Sequence, residues 1–265
     1  MSNLPLEQLA AAGQSAWLDF LSRSFVQDGD LEALSREGIR GVTSNPTIFQ
    51  SAIAEGHAYD DQLREILKTE QDPKEIFLAL AADDIRDACD ILRPIWDSTD
   101  STNRDGWVSL EVDPRVAHDT DATVAEAKRL HALVDKPNLY IKIPATQAGL
   151  PAIEQTIAAG IPVNVTLIFS LQRHREVAEA YIRGLERLAE AGGDLTKLAS
   201  VASFFVSRVD SEADKRLDAI AAAGNDYVDV VATLEREGVE KFEKSFEQLF
   251  ADVENKRDDL MGAPA

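Results

Sequence analysis

Short apolar runs alternate with longer stretches of helical period along this chain of 265 residues. Leu6, Leu9 and Ala10 share one face of a helix over 5–13. Trp17–Leu21 is an apolar run with a carboxylate, Asp19, inside it, and reads as a strand. Asp30 caps a helix over Leu31–Glu37, which Gly38 stops in the left-handed region. The β-branched run Ile39–Thr43 predicts the next strand, and Ser44-Asn45-Pro46 a strand-to-helix turn. A long helical region covers 47–97, its last member opened by Pro73 after Asp72. Trp107–Asp113 is a strand closed by Pro114, which cannot donate to a ladder. Further on, 122–134 reads as a helix, 138–143 as a strand, 149–159 as a helix ending at Gly160, and 161–169 as a strand. A helix over 171–191 is stopped by Gly192-Gly193, and 198–206 is a strand. A helix from about 210 to 223 breaks at Gly224. The region 226–257 is a final amphipathic helical region with a turn at Gly238, and the tail 261–265 is frayed.

Strand–helix alternation of this kind means parallel strands joined by right-handed helical crossovers. No low-complexity linker divides the chain, so residues 1–265 read as one domain. Six strands are evident. A closed (β/α)8 barrel needs eight and an open doubly wound sheet only five or six, so the count by itself favours the open sheet. Polar side chains argue the other way. Asp19, Asn45, Glu111, Lys142, Asn164 with Thr166, and Ser203 each lie within or at the end of a different strand. Convergence from many strands on one mouth is a property of barrels. The glycine-rich nucleotide signatures of doubly wound sheets are missing.

Among these residues Lys142 carries the most chemistry. It sits inside Leu139-Tyr140-Ile141-Lys142-Ile143-Pro144. An ammonium among Ile and Tyr loses hydration, which pushes its pKa down and makes the neutral, nucleophilic amine accessible, as a Schiff-base lysine requires. The simpler reading is a lysine snorkelling to water from a strand edge. The other residues have simple readings too. Asn45 would cap the helix after Pro46, Glu111 would lie on an exposed strand face, and Asp19 would pair with Arg23. Asn164 and Thr166 would bond the neighbouring backbone, and Arg208 would be a solvated helix-start residue. Taken together they suit amine–carbonyl chemistry: a desolvated lysine, carboxylates to move protons, and amides and hydroxyls to hold water and sugar hydroxyls.

Composition narrows the partners. The formal net charge is -20, which argues against nucleic acid and anionic membrane surfaces. A phosphorylated substrate would then need a local cationic pocket. The single cysteine, Cys89, lies in a run of helical period and reads as a buried apolar residue; one cysteine excludes a disulfide framework and a multi-cysteine metal site. Four histidines are scattered without ligand spacing, so no metal site is expected. With no basic N-terminal region before an apolar run and no apolar stretch near membrane length, a soluble cytoplasmic protein is expected.

Four segments together resemble the transaldolase family. They are Gly41-Val42-Thr43-Ser44-Asn45-Pro46-Thr47-Ile48-Phe49, Leu139–Thr146, Val163–Ser170 and Ala202–Asp210. The likeness runs from about residue 15 to 220, is closest to the longer actinobacterial type, and 226–255 is similar to the family's closing helix. The resemblance implies a (β/α)8 TIM-barrel type. It also implies transfer of a dihydroxyacetone unit between sugar phosphates, in the non-oxidative pentose phosphate pathway, with no cofactor. Lys142 would form the imine and Asp19 would be the acid/base. Glu111 and Thr166 would position a water, and Asn45 and Asn164 would hold sugar hydroxyls and the enamine. Ser203 and Arg208 would take the phosphate, and Phe205 would line the pocket. A Schiff-base aldolase of the same family is the alternative. The family's seventh and eighth strands have no counterpart, and Ala223-Gly224-Asn225 looks like the seam of an internal deletion. The resemblance then implies residues missing from this sequence, a catalytically impaired shortened variant, or closure by another route such as a homodimer.

Overall fold

The computed structural model describes residues 5–55, 57–99, 105–220 and 227–262. In chain order, α1 (Pro5–Ala11) precedes β1 (Ala16–Leu18), and α2 (Arg23–Gln27) and α3 (Asp30–Glu37) precede β2 (Ile39–Val42). Three helices, α4 (Pro46–Glu55), α5 (Asp60–Ile66) and α6 (Pro73–Ser98), make the long crossover to β3 (Trp107–Glu111). Then come α7 (Thr120–Val134), β4 (Leu139–Pro144), α8 (Gly149–Ala158), β5 (Val163–Ile168), α9 (Leu171–Glu190) and β6 (Ser200–Phe204). The last helices are α10 (Val206–Ile220) and α11 (Tyr227–Gly262).

The six strands are hydrogen-bonded in the order β1-β2-β3-β4-β5-β6. The pairs β1–β2, β2–β3, β4–β5 and β5–β6 are parallel. A doubly wound sheet reverses its strand order at a switch point; a singly wound barrel never does. The order therefore overrules the strand count and gives a TIM-barrel type with six of its strands among the described residues. The seam at 223–225 lies outside the described residues.

Several boundaries move. β1 ends at Leu18, so Asp19 follows the strand instead of sitting inside it. Asp30 does not cap α3: the cap is Gly29 at φ 85, and Asp30 lies in the first turn, where the helix dipole favours a carboxylate. Gly38 does close that helix in the left-handed region, at φ 118. α2 is not marked by periodicity; it rests on Ser22, whose side chain accepts from the Phe25 N–H at 3.2 Å. Asp72 caps α6 by accepting from the Lys74 N–H at 2.8 Å, with Pro73 in the first turn. β6 is shorter than expected and α10 starts at Val206, which puts Arg208 in a first helical turn. Gly238 does not break α11. A Cβ there would stand 3.1 Å from Leu167 Cδ2 and 3.3 Å from Arg208 Nη1, so glycine serves close approach.

The chain divides into two compact units. The first holds Met1–Glu111, His131–Tyr140 and Lys244–Ala265. Its core is α6, which buries Ile76, Phe77, Leu80, Ile85, Ala88, Cys89 and Leu92. Cys89 is the buried small residue expected, and burial pushes its thiol well above the usual range. Trp107 stacks on Tyr140 with centroids 4.1 Å apart. Phe77 meets Phe49 and Phe246 edge-on at 5.6 and 5.3 Å. One buried ionic network lies in this unit. Arg23 Nε donates to Asp84 at 2.7 Å, Tyr59 Oη donates to the same carboxylate at 2.7 Å, and Arg23 Nη2 donates to the Leu80 carbonyl at 3.2 Å.

The second unit holds Val112–Leu130 and Ile141–Glu243. β5 is buried throughout and β4 likewise, whereas β6, last in the sheet order, alternates between half-buried and exposed. Ala117, Leu167, Phe169, Leu234, Val239 and Phe242 form its apolar cluster. α8 and α9 pack through Gly184, where a Cβ would come within 2.7 Å of Ile157 Cβ and 2.8 Å of the Glu154 carbonyl oxygen. Neither atom belongs to a flexible side-chain end. Gly184→Ala is therefore expected to lose about 1–3 kcal/mol to overpacking, more than the roughly 1 kcal/mol that alanine gains in helix propensity. A lower urea midpoint with unchanged slope would show it.

Candidate active site

Lys142 is the fourth residue of β4, and alternation places its side chain on the face shared with Tyr140 and Pro144. Ile141 and Ile143 occupy the other face, both fully buried. Lys142 itself is 4 % exposed, so the snorkelling reading does not hold. The backbone around it is paired: the Val112 N–H donates to the Lys142 carbonyl at 3.0 Å. In register, Lys142 lies beside Asn164 and Pro144 beside Thr166. Parallel neighbours in register present side chains to the same face, so Lys142, Asn164 and Thr166 share it.

Asn164 is buried and its Oδ1 accepts from the Ser203 hydroxyl at 2.8 Å. It thus pairs with a side chain of the next strand. Thr166 is fully buried, and its hydroxyl has no hydrogen-bond partner among the described residues. Directly after it, Leu167 adopts φ 59, in the left-handed region. For a leucine that conformation costs about 1–2 kcal/mol. It coincides with a shift in the β5–β6 ladder between Val165 and Ile168. The strain is held by the apolar cluster around Leu167.

Phe205 follows β6 and packs its ring 5.5 Å from that of Phe169. The Arg208 guanidinium carbon lies 5.0 Å from the Phe205 centroid and 5.7 Å from the Phe242 centroid. Arg208 also lines a cavity of about 290 Å³ with Ser207, Ser211, Gly238 and Lys241. It is half-buried, so the reading as a merely solvated helix-start residue does not hold. Lys142 Nζ also lies 5.7 Å from the Phe242 centroid. Phe242 was not singled out by sequence reasoning. The signal was present: Gly238, Phe242, Phe246, Leu249 and Val253 recur at helical spacing. A larger cavity, about 650 Å³, is bordered by His118, Gln147, Arg173, Val231 and Glu235, without Lys142. Arg173 there is within 3.2 Å of Glu176 and 3.6 Å of Glu235. Burial pushes the Glu235 carboxyl up against the opposing pull of Arg173 and His118.

The remaining predicted residues belong to the first unit. Asp19 is exposed, one position after β1. It does not pair with Arg23, whose guanidinium is taken by Asp84, a carboxylate 61 positions away. Asn45 does cap α4: its Oδ1 accepts from the Ile48 N–H at 3.0 Å. Its neighbour Ser44 donates to the Ser109 carbonyl at 2.7 Å, tying the end of β2 to β3. Glu111 ends β3 and is 9 % exposed, so it is not a residue of an open strand face. Lys142, Asn164, Thr166, Ser203, Phe205 and Arg208 are thus gathered in one unit, while Asp19, Asn45 and Glu111 stand at strand ends of the other. Among the described residues no three His, Cys, Asp or Glu side chains group as a metal site. Nor, among them, is any helix long and apolar enough to cross a membrane.

Residues 16–226 match the family model described as Transaldolase/Fructose-6-phosphate aldolase. A transaldolase of Mycobacterium leprae is 55 % identical over 223 residues, covering 84 % of this chain and 59 % of the relative. One of Acidothermus cellulolyticus is 58 % identical over 217 residues, covering 82 % and 58 %. One of Mycobacterium tuberculosis is 53 % identical over 221 residues, covering 83 % and 59 %. The chain spans less than three fifths of the length of each of these relatives. The match contains the lysine strand, the in-register asparagine and the β6 to α10 turn just described, and on it the chain belongs to the transaldolase/fructose-6-phosphate aldolase family.

Proposed function

We propose that this protein is a transaldolase, moving a dihydroxyacetone unit between sugar phosphates through a Schiff base on Lys142. The observation that carries the reading is the buried Lys142 on β4, beside Asn164 in register and sharing Phe242 with Arg208. A nucleophilic amine and a cation for a phosphate both lie within 5.7 Å of one ring, so they are no further apart than twice that distance. A ketose whose carbonyl and phosphate are separated by several carbons suits such a pair. The relatives named transaldolase favour transfer over simple cleavage.

In this reading Lys142 Nζ attacks the ketone of sedoheptulose 7-phosphate or fructose 6-phosphate, and loss of water leaves the iminium. Asp19 takes the C4 hydroxyl proton as the C3–C4 bond breaks, and the bonding pair moves into the iminium to give the enamine. The aldose phosphate departs. The enamine then attacks the aldehyde of glyceraldehyde 3-phosphate or erythrose 4-phosphate, and water releases the ketose. Glu111 and Thr166 position that water; the buried Thr166 hydroxyl supports its part. Asn45 and Asn164 hold hydroxyls and the enamine. Ser203 and Arg208 take the phosphate, and Phe205 lines the site. The imine is the electron sink, so the reading needs no metal or cofactor. The protein would act in the cytoplasm as one barrel-type domain, with a second copy at its sheet edges to make a homodimer.

Borohydride added with fructose 6-phosphate is expected to leave a stable three-carbon or six-carbon adduct on the Lys142 peptide. Ketose product that appears only when an aldose phosphate acceptor is present identifies a transferase. Free dihydroxyacetone released without acceptor would instead identify the Schiff-base aldolase of the same family. An unmodified Lys142 would refute both.

A further inference from the structure

Residues 227–262 lie beyond the family match, yet α11 places one of its side chains at the lysine. Phe242 is 5 % exposed, with the Lys142 ammonium and the Arg208 guanidinium both 5.7 Å from its ring centre. We propose that Phe242 is a positioning residue: the face of its ring holds the Lys142 nitrogen while that nitrogen is cationic, as ammonium before the reaction and as iminium during it. The catalytic part of this rests on the Schiff-base reading above; the contact with the ammonium does not.

Three observations converge on the role. Aromatic rings carry negative potential on their faces and attract cations within about 6 Å of the centroid, more strongly where water is excluded. Both Lys142 and Phe242 are almost fully buried, so the attraction acts with little screening. The half-buried Arg208 guanidinium faces the same ring, so the ring offsets part of the repulsion between the two cations. The third observation is how the ring is held in place. Gly238, one turn before Phe242, lets α11 close on Leu167 and Arg208. Phe242 itself packs in the cluster with Leu167 and Phe169. An apolar residue needed only to fill this space would not have to be aromatic. Leucine would do so in a cluster that already contains Leu167 and Leu234.

The test replaces Phe242 in the full 265-residue chain by phenylalanines of increasing fluorination, which keep the ring's shape while emptying its face of negative potential. Phe242→Leu and Phe242→Tyr accompany the series, with Phe246→Leu as a control that removes another α11 aromatic. Two readouts are taken on the Lys142 peptide by mass spectrometry. The first uses formaldehyde with cyanoborohydride and no sugar. Labelling of Lys142 is expected to quicken stepwise with fluorination, by about fivefold at full substitution, because the ring no longer holds the ammonium. The second uses fructose 6-phosphate with borohydride. The ketose concentration that half-saturates trapping is expected to rise by about tenfold in the same order and in Phe242→Leu, with Phe242→Tyr near the parent. Phe246→Leu should change neither. Labelling rates that are flat across the fluorinated series would overturn the proposal, whatever the sugar does. A graded labelling response together with no ketose adduct in the parent protein would sustain the contact and sink the Schiff-base reading.

Discussion

Lys142→Met is expected to abolish the borohydride-stable adduct and to lower the exchange of label between fructose 6-phosphate and erythrose 4-phosphate by at least about 10³-fold. Methionine is unbranched and of similar length, so it fills the buried space of the lysine stem on the β4 face shared with Tyr140 and Pro144, and the loss should be chemical and not structural. The far-ultraviolet spectrum and the urea midpoint are expected to stay near those of the parent, or to rise slightly, since a buried cation is removed. Asp19→Asn gives the contrast. It keeps the amine and therefore the adduct, but removes the base that takes the C4 proton, so trapping should persist while turnover falls by about 10²–10⁴-fold. Full turnover in Asp19→Asn would remove Asp19 from the mechanism, and an adduct in Lys142→Met would move the chemistry to another lysine.

The second large effect concerns stability. Arg23→Met is expected to cost about 3–5 kcal/mol, because it leaves the Asp84 carboxylate buried without its cation. Arg23 and Asp84 are 7 % and 1 % exposed, so solvent screens the pair little. Tyr59 would remain as the donor to that carboxylate. The pH dependence has a definite sign. Burial already pushes the Asp84 carboxyl up, with Arg23 and Tyr59 opposing it. Removing the arginine lets burial raise it further. A carboxyl raised in the folded state binds its proton more tightly there than in the unfolded chain, where it titrates at about 3.9. The deficit of Arg23→Met should therefore be full above the folded value, shrink as pH falls through it, and be smallest below the unfolded value. Urea midpoints at pH 7 and pH 4.5 measure this. Adding Asp84→Leu and Tyr59→Phe to Arg23→Met should recover much of the loss, since no buried charge is then left alone. Equal midpoints for Arg23→Met and the parent at pH 7 would show that the network does not hold this unit together.

Much of the fold is legible because its signals are local. Asp72 followed by Pro73 marks the start of α6, and Gly38 marks the end of α3 at φ 118. Each depends only on what a residue's own backbone and hydrogen-bonding groups allow. The apolar strand around Lys142 and the alternation that puts Asn164 and Thr166 on one face are also read from residues a few positions apart. The errors fall where a distant partner outweighs a near one. Asp19 is one helical turn from Arg23, but the guanidinium is satisfied by Asp84 and the Leu80 carbonyl, deep in the core. Gly238 looks like a helix break by composition; its role is set by Leu167 and Arg208, to which the helix must come close.

From the chain alone came the parallel βα alternation, the position of Lys142 in an apolar strand, a polar residue within or at the end of each strand, and the motifs that carry the family. These follow from periodicity and residue chemistry, which act over a few bonds. Tertiary structure decided the strand order that excludes a doubly wound sheet. It also decided the register that sets Lys142 beside Asn164, and the Ser203 bond that orients that amide. It alone brought Phe242, a hundred positions along the chain, to the lysine nitrogen. Such contacts depend on which surfaces meet when the chain closes on itself. That choice is made by the sum of burial and packing over the whole unit, and no short stretch of sequence contains it.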